Sequence, residues 1–88
     1  MEFNKGDVVI STYGRDKGTV YIVIDIKNGR AYLVDGIQRK IESPKIKNFK
    51  HILKLNVKSS LICDKIKCNE KIPNPLIRKE VERIKQKI

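Results

Sequence analysis

Apolar and polar residues alternate in several short stretches of the first 55 positions, which is the period of β-strands with one buried face. The stretch TVYIVIDI is the clearest, because every even position from 20 to 26 is apolar. Tyr21, Val23 and Asp25 alternate on its other face. The pattern predicts five strands, at residues 6–13, 19–26, 30–34, 37–42 and 49–55.

Residues typical of tight turns separate these stretches. Asn28-Gly29 and Asp35-Gly36 are strong signals for two-residue hairpins, because a type I′ turn needs positive φ at both central positions. Gly14 and Gly18 bracket the first connection, YGRDKGTV, and glycine accepts positive φ there. Both are therefore predicted to be structural turn residues. Pro44 interrupts the pattern after the fourth strand, since proline cannot donate to a sheet ladder.

Five short antiparallel strands joined by tight turns cannot cover a core as a flat open sheet. We therefore expect a mainly β fold in which the strands close into a small barrel. The connections are too short for an OB-like barrel, which usually carries a helix between its strands. The prediction is an SH3-like five-stranded barrel over residues 1–58.

After residue 58 the apolar period becomes helical. Ser59 or Ser60 can cap a short helix that runs to about Lys67. Asn74 followed by Pro75 predicts the start of a second helix. Its apolar stripe is expected to dock on the barrel or on the preceding helix rather than on a partner protein, and it consists of Ile77, Val81, Ile84 and Ile88. Residues 59–88 are thus predicted to be a helical extension packed on the barrel.

Positive charge is concentrated in the second half of the chain. Twenty Lys and Arg against ten Asp and Glu give a net charge of +10. Residues 1–44 carry 7 basic and 6 acidic side chains, whereas residues 45–88 carry 13 and 4. Such a surface attracts polyanions, meaning nucleic acid or an anionic membrane, although basic composition can also serve solubility alone.

Other classes of function find little support. No apolar run is long enough to cross a bilayer, and the start lacks the pattern of a signal peptide, so we expect an intracellular, cytoplasmic protein. Cys63 and Cys68, with His51 as the sole histidine, fall short of a zinc set and are interpreted as reduced packing residues. No nucleophile has an evident base partner, and the glycines form no P-loop. We expect no enzyme, metal or cofactor.

The segments GDVV at residues 6–9 and GRDKG at residues 14–18, with the apolar strand that follows, resemble the KOW motif of ribosomal proteins and transcription elongation factors. The stretches VDGIQRKIESPKIKNFKHI (34–52) and IPNPLIRKEV (72–81) are similar to a narrower group of small bacterial KOW-domain RNA-binding proteins. That group is related to a large-subunit ribosomal protein of archaea and eukaryotes, the fourteen-e type. In residues 44–48, Ile46 stands where the group's pattern has a continuous basic run.

The resemblance implies that the chain binds RNA, most directly ribosomal RNA, and it favours RNA contact over a merely solvated loop for Arg15 and Lys17. A second basic surface follows on residues 39–58. The predicted RNA-binding residues are Arg15, Lys17, Arg39, Lys40, Lys45, Lys47, Lys50 and Lys54. Tyr13 is the best candidate for stacking on a base, although a tyrosine at the barrel edge is an equal alternative. On the fifth strand Lys50, Ile52 and Lys54 are predicted to face one way, and the other side carries Phe49, His51, Leu53 and Leu55. His51 thus falls on the apolar side and is interpreted as structural.

Lysines of this kind suit phosphate contacts, which carry affinity but no sequence readout. With only five aromatic residues in the chain, we expect recognition of structured RNA by shape and charge rather than by stacking along a single strand. The alternative is a protein-interaction module that docks on RNA polymerase or on a ribosomal protein. Nothing in the sequence requires more than a monomer.

Overall fold

The alternating stretches form one antiparallel sheet of five strands, followed by two helices, in a computed structural model that describes residues 2–88. The strand order is β4-β3-β2-β1-β5. The mainly β prediction is therefore confirmed. Within residues 2–88 the sheet is open, because the edge strands β4 and β5 do not pair with each other. The elements are β1 (Asp7–Ser11), β2 (Val20–Lys27), β3 (Arg30–Val34), β4 (Lys45–Asn48), β5 (Ile52–Lys58), α1 (Ser60–Lys67) and α2 (Asn74–Lys85).

The hairpin between β2 and β3 follows the sequence closely but contains a bulge. Asn28 and Gly29 both have positive φ, as predicted for their turn. The register then shifts between Val23 and Asp25, so that two residues of β2 oppose one residue of β3. The shift reverses the alternation. Ile26 therefore packs on the same side of the sheet as Val23, and the prediction that it shares a face with Ile22 is wrong.

The fourth strand lies at Lys45–Asn48, and the prediction of a strand at residues 37–42 is wrong. The carboxylate of Asp35 accepts hydrogen bonds from the backbone N–H groups of Ile37 and Arg39, both at 2.9 Å. The N–H of Asp35 in turn donates to the carbonyl of Arg39 at 3.0 Å. This local loop occupies backbone groups that a strand would need. The strand forms only after Pro44, whose missing N–H is tolerated at the beginning of an edge strand.

The last strand begins three residues later than predicted. Phe49–His51 form a short 3-10 helix, and the side chain of Asn48 caps it by accepting from the N–H of Lys50 at 3.2 Å. The delay also changes which residues are buried. Ile52, predicted to share a face with two lysines, is buried, whereas Leu53 is 49% exposed. The predicted alternation holds, since Ile52 and Lys54 lie opposite Ser11 and Val9, which share a face, and Leu53 lies opposite Ile10. What is wrong is the expectation that the side carrying Leu53 is buried at that position.

The first of two apolar clusters lies between the sheet and both helices. Ser59 caps α1, as predicted, by accepting from the N–H of Ile62 at 3.3 Å. Three members of the predicted stripe on α2 are fully buried, while Ile88 lies beyond the helix and is 67% exposed. Burial of such a side chain stabilises the fold by about 1.5–3 kcal/mol. The buried members are Val8, Val20, Ile22, Val34, Ile62, Ile72, Ile77, Val81 and Ile84.

Asn74 begins α2, as predicted, but its side chain does not cap the helix. The amide oxygen instead accepts from the N–H of Ile41 at 2.8 Å, and the amide nitrogen donates to Glu42 at 3.0 Å. Gly36 packs directly on the same helix, since a Cβ there would lie 2.5 Å from the backbone nitrogen of Arg78. The start of α2 therefore holds the irregular segment 36–42 in place.

The second cluster fills the opposite face of the sheet, because successive strand residues point to opposite sides. Its buried members are Phe3, Val9, Tyr21, Val23, Ala31, Leu33 and Ile52. The edge strand β4 pairs Lys47 with Ala31 and Lys45 with Leu33. Directly opposite residues share a face, so both lysines point to the side of this second cluster. Ile46, between them, points away and is 49% exposed.

Candidate nucleic-acid interface

The connection between β1 and β2, here called the tip loop (residues 12–19), is a closed corner. Gly14 and Gly18 both have φ of +92°, the conformation predicted for them. The N–H of Gly18 donates to the carbonyl of Ser11 at 2.8 Å, and the N–H of Ser11 donates to the carbonyl of Thr19 at 2.9 Å. These bonds extend the β1–β2 ladder to the base of the loop. The charged residues 15–17 are thereby held at its end.

Asp16 is the hub of a polar network beneath the tip loop. Its Oδ2 accepts from the hydroxyl of Tyr21 at 2.8 Å, and its Oδ1 lies 3.0 Å from the hydroxyl of Ser11. The ammonium of Lys47 lies 2.9 Å from the same Oδ1 and donates to the carbonyl of Tyr13 at 2.6 Å. The Lys47 side chain is only 8% exposed. The network thus joins the tip loop to the inner face of β2 and to the edge strand β4.

The network also fixes the protonation states of its members. Burial alone would raise the pKa of Asp16, but hydrogen bonds from Lys47, Tyr21 and Ser11 together outweigh it and hold that pKa below its usual value. Burial, followed by the hydrogen bond to Asp16, raises the pKa of Tyr21 well above its usual range. At neutral pH the carboxylate is charged and the phenol is protonated, so each hydrogen bond has a donor and an acceptor.

A shallow cleft of about 420 Å³, here called the basic cleft, opens over this network. Three separate segments contribute to it, namely the tip loop, the irregular segment after β3, and β4. Tyr21 contributes from the floor. The lining residues are Gly14, Arg15, Asp16, Thr19, Tyr21, Gln38, Arg39, Lys45 and Lys47. Four of the eight predicted RNA-binding residues therefore meet at one site.

Of these four, Lys47 has to be reassigned. Its ammonium is occupied by Asp16 and by the carbonyl of Tyr13, so it is a buried structural cation and not a free one. Arg15 is exposed, and Arg39 and Lys45 are half-buried. In the ion pairs found within residues 2–88, none of these three has an acidic partner. The cleft therefore carries three free positive charges, and its one carboxylate is neutralised by Lys47.

The other four predicted residues lie elsewhere. Lys17 is exposed on the tip loop but does not line the cleft. Lys40 lines a different groove, beside the start of α2. Lys50 is exposed in the 3-10 helix. The ammonium of Lys54 lies 3.7 Å from the buried carboxylate of Asp7, which it shares with Lys58.

Tyr13 and His51 form a stacked pair beside the cleft. Their ring centroids are 4.6 Å apart and their planes differ by 19°. Tyr13 is 65% exposed although it makes this contact. His51, interpreted from the sequence as a structural residue on the apolar side of its strand, is half-buried and supports the tyrosine ring. The tip loop thus carries an exposed aromatic face beside the basic cleft.

The sequence reasoning missed the residues that position the site. Ser11, Asp16 and Tyr21 were predicted only as strand or loop residues, and Gln38 falls in a predicted strand that does not form. One signal was available. A tyrosine in the middle of the most apolar strand needs a partner for its hydroxyl when it is buried, and Asp16 supplies it.

Other kinds of site are not evident in the part of the chain that the structure describes. No group of three or more His, Cys, Asp or Glu residues in residues 2–88 is placed to hold a metal ion. Both cysteines are free thiols, and Cys68 is exposed, contrary to the packing role predicted for it. Over the same residues, neither helix has the length and apolar content that a membrane span requires.

No protein-family model and no curated protein matches this chain. The ligand of the basic cleft therefore has to be inferred from its geometry and its charge.

Proposed function

We propose that this chain is an RNA-binding protein of the KOW kind, which contacts structured RNA, and ribosomal RNA in particular, through the basic cleft. The observation that carries the proposal is the convergence of Arg15, Arg39 and Lys45 from three separate segments. None of them has an acidic partner among the ion pairs within residues 2–88. Like charges brought together at one place repel each other, so a polyanion that bridges them gains more there than on an ordinary surface.

An SH3-like barrel is part of the same proposal. Support comes from the strand order, in which the last strand returns to pair with the first, as in a small barrel built from a meander. The bulge in β2 adds bend and twist to the sheet, as closure into a barrel requires. The proposal involves a monomer in the cytoplasm, and it includes no catalytic step, metal or cofactor.

The composition of the cleft favours the sugar–phosphate backbone as its ligand. Guanidinium groups bind phosphate with two parallel hydrogen bonds, and a lysine adds a point charge. The one aromatic residue in the lining, Tyr21, is buried and donates its hydroxyl to Asp16, so it offers no face to a base. Recognition in the cleft therefore depends on the spacing of phosphates, which a folded RNA fixes and a flexible single strand does not.

A salt titration tests the proposal. We expect the affinity for a structured ribosomal RNA fragment to fall steeply with salt concentration, because each phosphate contact releases counterions. A triple variant with Arg15→Gln, Arg39→Gln and Lys45→Gln should bind more weakly, and its slope of log affinity against log salt should be smaller by about 2 to 3. Fluorescence anisotropy of labelled RNA measures both quantities.

The matched control removes the same charge from the helices, with Lys67→Gln, Lys79→Gln and Lys85→Gln, all exposed positions away from the cleft. If both triple variants lose affinity and slope equally, binding follows net charge, and the cleft is not the interface. Binding that hardly depends on salt contradicts the whole mechanism.

Association with the ribosome is a separate question, which sedimentation of cell lysate answers. We expect the protein to co-migrate with the large subunit at low salt and to leave it at high salt, as phosphate contacts are screened. If the protein stays at the top of both gradients, the partner is a free RNA or a protein such as RNA polymerase. The triple variant of the cleft should leave the subunit at lower salt than the control variant does.

A further inference from the structure

We infer that the Tyr13–His51 pair is a platform for one unpaired nucleobase, so that the preferred RNA has an unpaired nucleotide next to a helix. This inference rests on the proposed function, since the basic cleft has to hold the neighbouring phosphates. It goes further by assigning a second contact of different chemistry. The cleft binds backbone, whereas the platform binds the flat face of a base.

The first argument is the accessibility of the Tyr13 ring. A tyrosine side chain that only fills a gap at a sheet edge loses most of its exposed surface, whereas this one stays 65% exposed. One face of the ring is covered by the imidazole of His51 at 4.6 Å and 19°. The other face is open to solvent. A base stacked there would make a sandwich of base, phenol and imidazole.

The second argument is that the ring is held in place before any ligand arrives. The Tyr13 carbonyl accepts from the ammonium of Lys47 at 2.6 Å. This bond fixes the backbone, and His51 fixes the ring by stacking. Less conformational freedom is then lost on binding, which favours affinity. The same ammonium pairs with Asp16, so platform and cleft share one support.

The third argument is the position of the platform. Gly14 and Arg15, which follow Tyr13 directly, line the basic cleft, and so does Lys47. A phosphate bound by Arg15 would therefore have its own or the next base within reach of the ring. A base in a continuous helix is stacked on its neighbours and offers no free face. Only an unpaired nucleotide can occupy the platform while the helix on its side occupies the cleft.

The test uses two RNA hairpins with the same loop, of which one has a fully paired stem and the other has a single bulged adenosine in its stem. Stacking of one base on an aromatic side chain is worth enough to change affinity by about fivefold or more. We expect the wild-type protein to bind the bulged hairpin at least that much more tightly. A fluorescent adenine analogue at the bulge should be quenched on binding, because it stacks on Tyr13.

Substitution separates the two contacts. Tyr13→Ala should remove the preference and the quenching while the affinity for the paired hairpin changes less than about twofold. Tyr13→Phe should keep both, since stacking needs the ring and not its hydroxyl. His51→Ala should reduce the preference only in part, as expected for a positioning residue. Tyr13 is exposed, and a thermal melt should show that the alanine variant is folded.

Each other outcome overturns the inference in an identifiable way. Equal affinity of the wild type for both hairpins, or equal losses on both in Tyr13→Ala, means that no base uses the platform, while RNA binding by the cleft stands. If Tyr13→Ala changes the affinity for neither hairpin, the exposed ring does not contact the RNA, and a protein partner becomes the alternative occupant. If neither hairpin is bound at low salt, the proposed function fails and the inference fails with it.

Discussion

Two carboxylates of this protein have nearly the same surroundings and, in our interpretation, different purposes. Asp16 accepts from two hydroxyl groups and pairs with Lys47 under the tip loop. Glu80 on α2 accepts from the hydroxyl of Ser59 at 2.7 Å and pairs with Arg83 at 3.0 Å. The pKa of Glu80 is lowered, chiefly by the hydrogen bond from Arg83. The pKa of Asp16 is also lowered, because hydrogen bonds from Lys47, Tyr21 and Ser11 together outweigh the effect of burial. The chemistry of the network therefore does not tell the two apart.

The difference lies in what surrounds each network. Glu80 on α2 contacts Ser59, the cap of α1, and the cation beside it, Arg83, is its ion-pair partner. Around Asp16, three further cations converge on an open cleft with no carboxylate of their own within residues 2–88. Charge that is left unneutralised at a defined place is what indicates a binding site. A paired carboxylate with no free cation around it, such as Glu80, indicates only a structural contact between two helices.

The largest expected effect is on stability, at the contact of Ser59 with Glu80 that links α1 to α2. Glu80→Ala removes the acceptor of the buried Ser59 hydroxyl, and we expect the free energy of unfolding to fall by about 2–3 kcal/mol. The contact with Arg83 adds little, because that guanidinium is exposed to solvent. Urea unfolding measures the loss. RNA affinity of the folded variant should be unchanged, and a joint loss of stability and affinity would show that the two networks are not separate.

Asp16→Asn should cost less stability but should affect binding. The amide keeps the shape and loses the charge that pairs with Lys47, for an expected loss of about 1–2 kcal/mol. If net charge alone determined binding, the variant would bind RNA more tightly, since it removes a negative charge from the cleft. We expect about threefold weaker binding, the equivalent of roughly 0.7 kcal/mol, because Asp16 positions the tip loop.

The matched control for this variant is Asp64→Asn, on the exposed side of α1, which makes the same change in net charge. It should leave stability nearly unchanged and should bind RNA as tightly as the wild type or slightly more tightly. Tighter binding by Asp16→Asn than by the control would mean that Asp16 only repels the ligand and has no positioning role.

The same comparison shows which features could be predicted from sequence. The β2–β3 hairpin and the start of α1 were predicted because Asn28-Gly29 and Ser59 act on their own neighbours in the chain. The prediction of a strand at residues 37–42 failed because side chains bind the backbone N–H groups there. The carboxylate of Asp35 accepts from the N–H of Ile37, and Asn74, 33 positions further along the chain, accepts from the N–H of Ile41.

The candidate site likewise has features that could be predicted from sequence and features that could not. Its charges were visible in the composition, and Arg15, Arg39 and Lys45 were all predicted as RNA-binding residues. The burial of Lys47 was not foreseeable, because it depends on Asp16, which lies far from it in the chain and meets it only through the β4 pairing. Local chemistry thus predicts turns and caps, whereas the pairing of charges requires the fold.

The pH dependence of stability should separate the two carboxylates. A pKa that is lower in the folded state gives stability that is complete above the unfolded pKa and is lost as pH falls through the folded one. Each variant lacks this contribution, so its deficit relative to the wild type is full at neutral pH and closes in acid. For Glu80→Gln the closing should begin near pH 4.5, and for Asp16→Asn near pH 3.8.

Urea unfolding at several pH values between neutral and strongly acidic conditions measures this for the two variants and the wild type. Asp64→Asn serves again as the control for the loss of one carboxylate. A deficit that grows in acid would mean that the folded-state pKa is raised, which is the opposite of the hydrogen-bonded arrangement described for either group.

The smallest effects on stability give the sharpest separation, because each variant should be affected mainly in one measurement. Lys45→Gln and Arg83→Gln each remove one positive charge. Lys45 has no acidic partner within residues 2–88, so its loss should leave stability within about 0.5 kcal/mol of the wild type. It should lower RNA affinity several-fold at low salt and reduce the salt slope by about 1.

Arg83→Gln should do the reverse, with slightly lower stability and an unchanged salt slope, since its charge is already neutralised by Glu80. Salt titrations and urea unfolding of both variants, made under one set of conditions, decide between the two interpretations of charge. Equal salt slopes in the two variants would mean that the RNA responds to the total charge of the protein. Unequal slopes, with the loss confined to Lys45→Gln, locate the response at the cleft, where a free cation and not a paired one meets the phosphate.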